Sequence, residues 1–129
     1  KALKIYGCYF VAGLIIEFIG RFLLNLWNYP YFTIADEIIH VFLIGYPFAF
    51  FFINESLTLM QKQVKSLWLT AAAAAFINAF LHEIPNTFVW TWVYTIPYIE
   101  FQILNINIVV IIGWLILIAV PLMGKRIVK

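Results

Sequence analysis

Four apolar runs, at about 5–27, 35–59, 64–84 and 103–122, take up most of this chain, and each is long enough to cross a bilayer as a helix. Backbone in hydrocarbon must satisfy its own N–H and C=O groups, so runs of this kind fold as helices and little else. Only 11% of the residues are charged and 65% are hydrophobic, where soluble domains carry about 25% charged residues. With 129 residues in all, four spans leave no room for a separate soluble domain. The expectation is an all-α integral membrane protein: one transmembrane domain over 1–129, four helices in an up-down bundle. The first run continues to full span length, which does not fit a cleavable signal peptide. Cys8 is the single cysteine, so a disulfide framework is excluded. No internal repeat is evident.

The charges orient the runs. Lys1 and Lys4 precede the first, Lys62 and Lys65 separate the second from the third, and Lys125, Arg126 and Lys129 follow the fourth. The other two connections hold no Lys or Arg. Cytoplasmic loops are enriched in these residues, so both termini are expected in the cytoplasm. The remaining basic residue, Arg21, lies inside the first run. The acids fall on the opposite side. Asp36, Glu37, Glu83 and Glu100 map to outer ends of spans, Glu17 to the outer half of the first, and only Glu55 to an inner end. His40 and His82 share the outer half. An ionisable cluster near the outer face of a cell membrane follows from the span reading.

Intramembrane ionisable groups usually face the bundle interior and pair. Glu17 and Arg21 are four apart, on one helical face, with Gly13 and Gly20 beside them. They read as an ion pair that fixes packing, or as Arg21 holding a carboxylate or lipid headgroup. Asp36 and Glu37 suit a helix N-terminus, where the macrodipole favours acids; Asp36 also stands four before His40. That account leaves His40 over. Glu37 and His40 also form an E-x-x-H spacing, used on two helices of carboxylate-bridged metal bundles. A divalent-metal set of Glu17, Glu37, His40 and His82 is the reading that follows, although Asn86 stands where a second such motif needs histidine. As acid/base groups the candidates are Glu17, Glu37 and Glu83, with the two histidines as proton partners.

The stretch 85–101 carries two prolines and many aromatic residues, and reads as an interfacial or re-entrant segment between the third and fourth spans. Its Trp90, Trp92, Tyr94 and Tyr98 fit an outer aromatic belt, or the wall of a pocket for a long apolar molecule. Pro47 interrupts the second run and should free a carbonyl one turn earlier. Ala71 to Ala75 offer a close-packing helix face. No phosphate-cradling glycine loop, nucleophile elbow or cysteine metal motif occurs. The basic residues form a cytoplasmic rim, and no nucleic-acid partner is expected.

From His82 to about Ile118 the landmarks run Glu83, Thr87, Trp92 and Tyr94, an Asn-Ile turn, then Gly113-Trp114. This order resembles the later half of carotenoid-biosynthesis membrane proteins of the lycopene-cyclase and bacterioruberin-hydratase type. The likeness covers under a third of the chain, whose family members are longer, and departs from the pattern in placing His82 before the acid. It implies a membrane-embedded carboxylate that protonates a polyene double bond, with Glu83 as the acid and an isoprenoid or carotenoid as ligand. Three functions are therefore open: a subunit of a larger membrane complex, an intramembrane enzyme acting on a lipid or isoprenoid, and a metal-binding four-helix bundle.

Overall fold

The computed structural model describes residues 2–97 and 99–127; Lys1, Tyr98 and Lys129 lie outside the described residues, as do the side chains of Lys125 and Arg126. Helix α1 covers Ala2–Leu23, α2 covers Ile34–Gln61, and α3 covers Leu67–Val89. All three are long and apolar enough to cross a membrane. Helix α4 covers Ile108–Ile127, with a shorter apolar part at Ile108–Gly124. Four two-residue strands lie between the helices: β1 (Trp27–Asn28), β2 (Val93–Tyr94), β3 (Gln102–Ile103) and β4 (Ile106–Asn107). β1 pairs antiparallel with β2, and β3 with β4.

Local chemistry sets the ends. Thr33 and Asp36 form a reciprocal capping box that starts α2, so Asp36 has the helix-start role. The Ser66 hydroxyl accepts from the Leu69 N–H to start α3. The third span runs five residues beyond its expected end, through Pro85 to Val89. Proline removes a single N–H bond, and a transmembrane helix tolerates that loss when neighbours re-satisfy the freed group. The irregular segment therefore begins at Trp90. The fourth helix starts later than its hydropathy suggests, because 102–107 folds as the β3–β4 hairpin. Its two-residue turn, Leu104 and Asn105, has both φ values positive, at 50° and 64°, as a type I′ turn requires. The Asn107 side chain then accepts from the Val109 N–H at 2.8 Å and caps α4.

Both helix segments flanking β1 are π-helical: Phe18–Leu23 in α1 and Glu37–Gly45 in α2. The second ends at Gly45, two residues before Pro47. The carbonyl four residues before that proline, on Leu43, accepts from the Tyr6 hydroxyl at 2.6 Å. A neighbouring helix thus supplies the hydrogen bond that proline removes.

The core gathers Tyr9, Phe50, Ile53 and Leu57 with Ala74, Ala75 and Ala79 of α3 and Val110, Trp114 and Ile118 of α4. The alanines let α3 sit close to its neighbours, as the Ala71–Ala75 run suggests. Large apolar side chains such as Phe48, Trp68, Leu69, Phe88 and Ile116 point outward. That pattern is inside-out for water and normal for lipid. At Gly13 the approach of α2 is tightest, since a methyl group there would lie 2.6 Å from Tyr46 Cβ. Gly13→Val is expected to part α1 from α2 and cost about 2 kcal/mol, as overpacking typically does. A fall in the melting temperature of the detergent-solubilised protein measures it, and an unchanged melting temperature refutes the contact.

Candidate functional site

Two carboxylates are buried, Glu17 at 0% exposure and Glu83 at 4%. Among the described residues, neither forms an ion pair with Lys, Arg or His. Glu17 Oε1 accepts from the Trp27 indole N–H at 3.0 Å, the Tyr29 hydroxyl at 2.5 Å and the Tyr46 hydroxyl at 2.9 Å. Glu83 Oε1 accepts from the Tyr94 hydroxyl at 2.8 Å and the Trp114 indole at 3.1 Å, and its Oε2 accepts from the Trp92 indole at 3.1 Å. Each carboxylate therefore ties three elements: its own helix, the aromatic segment that follows, and the next long helix. A buried charge or polar group without such partners is costly, and these aromatic donors are the ones within reach.

The Glu17–Arg21 pair expected from the four-residue spacing is not formed. A π segment begins at Phe18, directly after Glu17, and its wider turn carries Arg21 off the Glu17 face. Arg21 reaches across to α2 instead, where Nη1 and Nη2 bind Glu37 Oε2 and Oε1 at 2.5 and 2.8 Å. This two-bond fork is the strong form of an arginine–carboxylate contact. The Tyr29 and Phe22 rings flank the guanidinium at 5.0 and 5.2 Å.

The histidines stand elsewhere. His40 is more than half exposed; its Nδ1 donates to the Asp36 carbonyl at 3.1 Å, and Asp36 Oδ1 lies 4.0 Å away. His82 Nδ1 donates to the Asn78 carbonyl at 2.9 Å, and its ring stacks obliquely on Trp114 at 4.8 Å. Among the described residues, no three of His, Cys, Asp and Glu gather closely enough to hold a metal ion. Glu17, Glu37, His40 and His82 each have other partners and do not converge on one point.

Beside Glu83 lies a cavity of about 830 Å³, within the range of small-molecule sites. It opens between the end of α3, the β2 segment and the β3–β4 hairpin. Glu83 and Glu100 contribute carboxylates, Asn86, Gln102, Asn105 and Asn107 contribute amides, and Trp90, Trp92 and Tyr94 form the aromatic wall. Among the described residues, none that lines it is Lys or Arg. The loop is fixed by Asn86, whose Nδ2 donates to the Trp92 carbonyl at 2.8 Å while its Oδ1 accepts from the Trp92 N–H at 3.0 Å. Sequence reasoning named Glu83, Trp92 and Tyr94 separately. It did not name Trp27, Tyr29, Tyr46 and Trp114 as carboxylate donors, and the signal for two of them was the Trp-x-Tyr spacing at 27–29 and 92–94. No protein-family model, no curated protein and no solved structure matches the chain.

Two outcomes test this geometry. Removing one partner of the Arg21–Glu37 fork strands a charge, whereas replacing both with apolar residues of similar size is often neutral. Arg21→Met alone should lower thermal stability by about 3 kcal/mol, and adding Glu37→Met should restore most of it. Equal melting temperatures for single and double variants would refute the coupling. The second outcome concerns two hydroxyls in the aromatic segments. Burial, then neighbouring Glu17, pushes Tyr29 above the usual tyrosine value of 10.0; burial, then Glu83, pushes Tyr94 well above it. The folded state thus holds these protons more tightly than the unfolded chain. Their contribution is intact below pH 10 and is lost as pH rises beyond it. Alkaline titration at 295 nm should show both ionising only as the protein unfolds, and early ionisation in the folded state would contradict it.

Proposed function

We propose that the chain is a four-span membrane protein, with α4 as the fourth span and both termini cytoplasmic, and that it is an intramembrane enzyme acting on a neutral isoprenoid-type lipid from the outer leaflet. The observation that carries this reading is Glu83, a buried carboxyl group held by three N–H and O–H donors beside a cavity of about 830 Å³. Fixed donors hold such a group in one orientation, as acid/base chemistry demands. Among the described residues the cavity has two carboxylates and no basic side chain, so phosphorylated substrates are disfavoured. In this reading Glu83 gives its proton to a carbon–carbon double bond, leaving a carboxylate and a carbocation. The wall of Trp90, Trp92 and Tyr94 offers π faces that attract a cation. The resemblance of 82–118 to carotenoid-biosynthesis proteins points to the same residue and the same chemistry.

The alternative, a subunit of a larger membrane complex, is supported by the small size and the broad outward apolar faces. Lipid alone covers such faces, so the enzymatic reading is preferred. Its test begins with the chain purified in mild detergent, followed by solvent extraction and mass spectrometry. A neutral isoprenoid lipid should co-purify, and membranes containing the chain should convert it. Glu83→Gln should keep the fold and the bound lipid and lower turnover at least about 100-fold, the usual scale for a lost acid/base group. Full turnover in Glu83→Gln, or a chain that carries only bulk phospholipid and a fixed set of partner proteins, would overturn the reading.

A further inference from the structure

The two carboxylate centres repeat one another, although no repeat is evident in the sequence. Each starts with a glutamate on the outer half of a helix, Glu17 on α1 and Glu83 on α3. Each helix is followed by a left-handed residue, Asn25 at φ 50° and Trp90 at φ 53°. Two residues later comes a tryptophan, then after one more residue a tyrosine, and both side chains return to the glutamate. The third donor comes from the next long helix, Tyr46 on α2 and Trp114 on α4. Trp27 lies ten residues after Glu17, and Trp92 nine after Glu83. The extra residue falls where α1 is π-helical, which is how a helix absorbs a one-residue insertion; α3 is α-helical throughout.

The strand register agrees. In the β1–β2 pair, Trp27 faces Tyr94 and Asn28 faces Val93. Asn28 and Val93 are the middle residues of the two Trp-x-Tyr triplets. A two-fold axis through that pair exchanges the two triplets, and the Trp27 and Tyr94 rings meet beside it at 6.4 Å.

The halves differ at one place. The α1 residue under Trp27 is Gly20, where a methyl group would lie 1.9 Å from Trp27 Cη2. Its counterpart on α3, counted three residues on from the glutamate, is Asn86, which props the Trp92 segment through two hydrogen bonds. Trp27 therefore packs directly on bare helix beside the buried Glu17, while the propped segment leaves a cavity beside Glu83. Glu17 also keeps one buried oxygen, Oε2, with no hydrogen-bond partner, whereas both Glu83 oxygens are engaged.

We infer that the Glu17 centre is a second ligand site of the same chemistry as the Glu83 cavity, closed here by Trp27 on Gly20. Its unmatched Oε2 is the acceptor that the hydroxyl end of an apolar ligand fills when the indole lifts. This rests on the reading of the Glu83 cavity as a ligand site.

The full chain in phosphatidylcholine vesicles provides the test. Dicyclohexylcarbodiimide is an apolar reagent to which a carboxyl group adds: the O–H crosses one C=N bond, the acyl group then migrates to nitrogen, and nothing leaves. Peptide mass spectrometry reads each glutamate separately, with dodecanol as the competing ligand. In the native chain Glu83 should be labelled and Glu17 at least about tenfold more slowly, as for a site open in a minor state. Trp27→Ala should raise Glu17 labelling at least about tenfold with little change at Glu83, and dodecanol should slow both. Gly20→Ala displaces the indole while keeping it, and should act in the same direction if Trp27→Ala fails to fold. Glu17 unlabelled in both variants while Glu83 still reacts, or Glu17 labelled but unprotected by dodecanol, overturns the inference alone. Glu83 unprotected by dodecanol in the native chain overturns the cavity reading and this inference with it.

Discussion

A carboxylate placed among apolar helices must be met by donors, and in this protein the donors are aromatic. Six hydrogen bonds from three tryptophans and three tyrosines end on Glu17 and Glu83. Tryptophan and tyrosine suit this role because each joins a large apolar body to one N–H or O–H. The body packs where water is scarce and the tip meets the charge or the carboxyl dipole. Once this demand is set, much of the structure around the two glutamates follows. The segments after α1 and α3 must fold back onto their own helices, and the next long helix must present a donor at the same height. Small residues then become obligatory at the close approaches, Gly13 under Tyr46 and Gly20 under Trp27.

The π-helical segments belong to the same argument. A straight α-helix would put Arg21 on the face of Glu17 and give a local ion pair. The wider turn from Phe18 onward sends Arg21 to Glu37 and leaves Glu17 to the aromatic residues. A charge pair thus ties α1 to α2 at Arg21 and Glu37, while a neutral-donor centre ties them at Glu17. In α2, the π segment and Pro47 leave a carbonyl at Leu43 for Tyr6 of α1. At Leu43 the irregular backbone is supported by a side chain of the neighbouring helix, as backbone among apolar helices requires.

Much of this was legible in sequence where one physical rule dominates. Hydropathy marks the apolar runs, the helix-start preference places Asp36 at the head of α2, and proline chemistry anticipates the freed carbonyl before Pro47. Reading failed where two rules competed. The spacing of Glu17 and Arg21 obeys the helical pairing rule, but a single inserted residue changes the helix type and cancels it. Hydropathy also continues through Ile103–Asn107, yet Leu104 and Asn105 take a tight turn there. His40 and His82 share a predicted depth but not a surrounding, because depth along a helix says nothing about which face a residue occupies. The repeat stayed hidden because the two halves share little beyond one glutamate and one Trp-x-Tyr triplet, offset by the inserted residue.

The difference between the halves has a simple physical origin. Both have a buried carboxyl group, three neutral donors and a segment folded over the top. One has glycine beneath that segment and the other asparagine. Glycine lets an indole lie directly on the helix, and the space closes. Asparagine fills the gap with a side chain whose amide can satisfy a backbone N–H and C=O at once, so the segment is held off the helix without leaving either group unpaired. The same exchange that opens the space also secures its rim. An open cavity beside a carboxyl group is costly unless its lining is satisfied, and at Glu83 the hydrogen bonds that satisfy it also set its shape.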